Sequence, residues 1–108
     1  MTVTSLGRLN VATPGTLVPL STDPTARASK IFFQAVPGLT GKGYIGTNGL
    51  VRATGAKVIR VLAPNPTGGI SDFFFLESQQ DSDVLNLSNY YIDMDVAGEG
   101  LLISYWTE

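Results

Sequence analysis

The stretch Ser29-Lys30-Ile31-Phe32-Phe33-Gln34-Ala35-Val36 decides the fold class. Ile31, Phe33 and Ala35 fall on one side of an extended chain, and Lys30, Phe32 and Gln34 on the other. Working outward, Asp72 to Ser78 is apolar on both faces, and Leu101 to Trp106 closes the chain as another strand. Tyr90 to Val96 sets Ile92, Met94 and Val96 against Tyr91, Asp93 and Asp95. Lys57 to Ala63 carries Ile59 and Val61 on one face, Gly43 to Gly46 is a brief strand, and Thr16 to Leu20 is a short one whose Pro19 suits a sheet edge. The 12 glycines and 6 prolines are spread through the 108 residues, so turns recur and no helical window stays uninterrupted. These features predict one all-β domain, an antiparallel β-sandwich or jelly roll of about eight strands over 13–108. Loops are expected at Pro37–Lys42, Thr47–Gly55, Pro64–Ile70 and Ala97–Gly100.

Missing residue types narrow the chemistry. The chain has no histidine and no cysteine, so it lacks the commonest general base, a thiolate nucleophile, disulfides and Cys/His zinc sites. Seven Lys and Arg against nine Asp and Glu argue against nucleic-acid binding, which depends on neutralising phosphates. The longest apolar run, Phe73 to Leu76, is far too short for a membrane span. Met1 to Leu20 is interrupted by Arg8, Asn10 and Pro14 and does not read as a signal peptide.

The chemical motifs have plainer readings. Gly41-Lys42-Gly43-Tyr44-Ile45-Gly46 matches G-x-G-x-x-G, but Thr47-Asn48-Gly49 stands where the phosphate-binding helix should begin, so a tight turn into a strand is expected. Asp81, Asp83 and Asn86 offer oxygen ligands without calcium-loop spacing and read as a polar connection. Asp93 and Asp95 share a strand face, as on any half-exposed strand. No catalytic set, metal or cofactor is expected, and the chain is read as a non-enzyme.

What stands out is apolar surface on both sides of several strands. Phe32 lies opposite Ile31 and Phe33, Phe74 and Leu76 opposite Phe73 and Phe75, and Trp106 opposite Ile103 and Tyr105. Such faces are either covered within the fold or used for assembly. Residues 1–12 form an extended arm carrying Val3, Leu6, Leu9 and Val11 at spacings suited to lying on another surface. Val3, Leu6, Leu9, Val11, Phe32, Phe74 and Trp106 are therefore the candidate interface residues.

The order of several short motifs resembles a known group. A strand ends in Phe33-Gln34-Ala35, and Gly43-Tyr44-Ile45-Gly46 follows a turn. Val51-Arg52-Ala53-Thr54-Gly55 comes next, then Leu87-Ser88-Asn89 before Tyr91-Ile92-Asp93, and Ala97-Gly98-Glu99-Gly100 leads into the last strand. The pattern, over about three quarters of the chain, is similar to small virion proteins of tailed bacteriophages, particularly capsid decoration (cement) proteins. It departs where that group carries Leu-x-Pro-Gly and this chain has Leu62-Ala63-Pro64-Asn65-Pro66. The resemblance implies a structural protein assembled in the host cytoplasm and clamped to the major capsid protein on the virion exterior. A trimer at local threefold positions is the implied homo-oligomer, with no nucleic-acid or membrane partner. A minor tail or head-fibre module and a carbohydrate-binding sandwich using Tyr44, Tyr90, Tyr91 and Trp106 are the alternatives.

Overall fold

The computed structural model describes residues 2–78 and 83–107, so Asp81 lies outside the described residues. In chain order the strands are β1 (Thr2–Asn10), β2 (Val18–Pro19), β3 (Arg27–Ala28), β4 (Lys30–Ala35) and β5 (Gly43–Val51). They continue as β6 (Ala56–Leu62), β7 (Phe73–Glu77), β8 (Leu85–Asn86), β9 (Tyr90–Met94) and β10 (Gly100–Thr107). A one-turn 3-10 helix, Leu87–Asn89, sits between β8 and β9. Sheet I has the order β1-β10-β4-β7, sheet II the order β2-β9-β5-β6, and β3 pairs with β8 in a two-stranded ribbon; every pairing is antiparallel. Among the described residues no helix is long and apolar enough to cross a membrane.

The fold is all-β, as expected, but with ten strands in three sheets rather than about eight in one sandwich. The unforeseen pair, β3 and β8, has two residues per strand, too few to display an alternation. The loop expected from Thr47 is shorter, because β5 runs on to Val51 through two shifts of register against β6. Gly46 permits the first of these. Leu50 and the Lys57 carbonyl press so close that a Cβ there would collide with backbone.

Both four-stranded sheets feed one apolar core. Ile31, Phe33 and Ala35 of β4 and Leu101 and Ile103 of β10 meet Ile45 of β5 and Ile92 and Met94 of β9, each no more than 2% exposed. On β4, β9 and β10 the period-two alternation produces this directly, since the inward side of each is apolar. The N-terminal segment is extended and lies on its own chain as an outer strand of sheet I. β1 pairs with β10 along its length, from Thr2 opposite Thr107 to Asn10 opposite Gly100. Val11 continues that contact, donating to the Glu99 carbonyl (2.9 Å) and accepting from the Gly98 amide (2.8 Å).

Candidate functional site

Register across sheet I gathers the outward side chains into one aromatic face. Phe32 of β4 stands between Ser104 of β10 and Phe75 of β7, while Lys30 stands between Trp106 and Glu77. Ring centroids are 4.7 Å apart for Phe32–Phe75, 5.9 Å for Phe32–Phe73, 5.9 Å for Phe73–Phe75 and 6.2 Å for Phe75–Trp106. The Lys30 ammonium lies 4.2 Å from the Phe75 ring centre and 5.5 Å from that of Trp106, within cation–π range. Val3, opposite Trp106, extends the face onto β1. These are surface groups: Val3 is 56% exposed, Phe73 50% and Phe75 39%.

The structure divides the candidate interface residues. Phe32, Trp106 and Val3 lie on this face, and Leu6 is exposed beside the β1 irregularity between Ser5 and Gly7. Phe74 is corrected: it points the other way, 6.3 Å from Phe33, and packs against the core. Leu9 also packs against the core and is half-buried, and Val11 is wholly buried in it and has no surface to offer a partner. Phe73 and Phe75 take the place of Phe74. A strand that is apolar on both faces gives no clue to which face turns out.

The second concentration of polar chemistry is a cleft of about 370 Å³ over sheet II, lined in part by Gly15, Tyr44, Arg52, Asp93 and Asp95. Alternation placed Asp93 on a wet face, yet it is only 1% exposed. Its carboxylate accepts from the Gly15 amide (3.0 and 3.2 Å), from Arg52 Nε (2.9 Å) and from the Met94 amide (2.9 Å). Arg52 also donates through Nη1 to Asp95 (2.7 Å), and the Tyr44 hydroxyl reaches the same carboxylate (3.3 Å). The hydrogen bond to Asp95 holds the Arg52 guanidinium even more firmly protonated than usual. Burial, reinforced by Asp95, pushes the Tyr44 hydroxyl above its ordinary pKa. The arrangement fastens the residue-15 turn and the β5–β6 hairpin to β9. Both carboxylates are bridged by one guanidinium and occupied by hydrogen bonds that hold the fold together.

Two other motifs prove structural as well. A Cβ on Gly41 would crowd Val96 and one on Gly43 would crowd Leu101, so G-x-G-x-x-G is close packing at the start of β5. Asn86 Oδ1 accepts from the amide (3.1 Å) and hydroxyl (2.8 Å) of Ser88 and caps the 3-10 turn. Among the described residues there is no cluster of three or more His, Cys, Asp or Glu that could hold a metal. The four aromatic residues considered for glycan binding are dispersed. Tyr44 lines the Arg52 cleft, Tyr91 a separate polar hollow, Tyr90 packs on the core and Trp106 belongs to sheet I. No protein-family model, no curated protein and no solved structure matches the chain.

Proposed function

We propose that this chain is a structural assembly protein that docks through the outer face of sheet I, with no chemical step of its own. The single observation supporting this reading is the outward-facing aromatic cluster in which exposed Phe73 and Phe75 join half-buried Phe32 and Trp106. Aromatic groups are the residues that interfaces concentrate, and completing the burial of each half-exposed ring contributes about 1 kcal/mol. Lys30 supplies the polar element that fixes orientation. The two four-stranded sheets act as the layers of a sandwich, one layer presenting the docking face and the other braced by Arg52.

The resemblance to capsid decoration proteins supplies the proposed partner, the major capsid protein of a tailed phage, on the virion exterior. Binding only the expanded shell would stabilise it by mass action, with the trimer of that group as the proposed bound form. The test is quantitative mass spectrometry of particles purified from cells expressing the chain. Hundreds of copies per particle are expected. A handful would indicate a tail or fibre position, and none would overturn the assignment to a virion.

A further inference from the structure

Among the described residues each four-stranded sheet has two outer strands with an unpaired edge, β1 and β7 in sheet I and β2 and β6 in sheet II. Unpaired edges invite association, and proteins blunt them with bulges, proline, lysine or brevity. Three of these four are blunted. β1 slips register between Ser5 and Gly7, where Gly7 takes a φ of +68°, and it carries Arg8. β2 is two residues long, one of them Pro19. β6 contains Lys57 and Arg60, and its ladder with β5 is irregular. β7 is the least blunted: apart from one terminal charge, Glu77, Phe73-Phe74-Phe75-Leu76-Glu77 has no proline, bulge or basic residue and runs in unbroken register with β4.

We infer that β7 is a self-pairing edge that joins two copies of this chain, antiparallel, into a two-fold dimer. Backbone geometry fixes which groups are on offer. The Ala35 amide donates to the Asp72 carbonyl and the Ser78 amide to the Ser29 carbonyl. Antiparallel ladders alternate, so Phe74 and Leu76 turn their backbone groups toward β4 as well, while Phe73, Phe75 and Glu77 turn theirs toward the open edge. The Phe73 amide is held by the Asp72 carboxylate (2.9 Å), which leaves the amides of Phe75 and Glu77 to donate across.

The sequence of the edge is complementary to itself in one register. With Phe75 opposite Phe75 of the second copy, all three outward-turned residues find hydrogen-bonding partners, Phe73 lying opposite Glu77 in both directions. Phe74 then faces Leu76 on the inner side, and the two Glu77 carboxylates stand at opposite ends rather than against each other. Centring on Phe74 instead would pair only Phe73 with Phe75 and set Leu76 against Asp72. The self-complementary register, which joins the open backbone groups and keeps the two Glu77 carboxylates apart, therefore selects a second copy of this chain as the occupant. The pairing also places the two aromatic faces on one continuous eight-stranded surface. It rests on the edge of β7 alone, independently of the capsid reading, and a dimer is distinguishable by mass from a trimer.

Sedimentation velocity of the full chain across a concentration series tests the inference. A concentration-dependent dimer is expected. Glu77→Pro removes one crossing donor per copy without touching the aromatic cluster or the β4 ladder, and should weaken the dimer roughly 30-fold. Phe75→Lys and Phe75→Glu should each be monomeric alone and pair when mixed, because residue 75 opposes itself. Should Glu77→Pro fail to fold by circular dichroism, the charge-swapped pair decides. A parent chain that stays monomeric at about 100 μM, a trimer, or a mixture that does not pair would each overturn the inference. Loss of the dimer in Glu77→Pro with unchanged particle incorporation would leave the docking proposal standing, so the two fail separately.

Discussion

Asp93 couples three parts of the chain through one carboxylate, tying Gly15 and Arg52 to β9. Replacing it with Asn keeps the volume but sets an amide donor against donors, and the loss should be about 2–4 kcal/mol in a urea titration. Asp95→Asn, whose carboxylate is a third exposed, should lose less than about 1 kcal/mol. Equal losses would contradict the assignment of Asp93 as the anchor. None of this was legible in the sequence. Alternation put Asp93 on the solvent side, and its partners lie 78 and 41 positions away, at spacings that no local pattern encodes.

Glu99 is a second such anchor. Burial alone would raise its pKa, but the amides of Thr40 and Gly41 and the Thr40 hydroxyl outweigh burial and hold the carboxyl below its ordinary value. A depressed folded pKa means stabilisation present above the unfolded value and lost as pH falls through the folded one. The chain should therefore lose stability below the ordinary glutamate pKa of about 4.3, and Glu99→Gln should flatten that loss. Identical acid profiles for parent and variant would refute this role.

Strands show how far periodicity reaches. β4, β9 and β10 were readable because one side of each is apolar, and Ile31, Phe33, Ile92, Met94, Leu101 and Ile103 meet in the core. Val96, grouped with Ile92 and Met94 by alternation, lies past the end of β9 and is exposed. β7 defeats the same rule, since three phenylalanines in succession fit either phase. Only pairing with β4 settles that Phe74 turns inward beside Phe33. Phe74→Ala should lose about 2–3 kcal/mol by denaturation, against less than about 1 for Phe73→Ala. The reverse order would mean that the strand's phase is inverted. β5 carries its own constraint at Gly46. Gly46→Ala would drive a Cβ into backbone of the hairpin and should lower stability by about 3 kcal/mol or more, which thermal unfolding would register.

The molecule as a whole is asymmetric in how its two sheets meet their surroundings. Sheet II is braced on its outer side by the hairpin and its Arg52 clamp, whereas sheet I leaves a cluster of rings in water. The sequence did reveal that more strand faces were apolar than a single core needs. Sheet II exposes the aliphatic Val51, Ile59 and Val61, and that the exposed rings gather on sheet I depended on long-range register that no local pattern shows. Hydroxyl-radical footprinting of the chain, free and bound to its particle, tests the docking face most directly. Phe73, Phe75 and Trp106 should become protected several-fold on assembly while Tyr91, on the other sheet, stays reactive. Unchanged labelling of those three rings in the bound state would contradict the account.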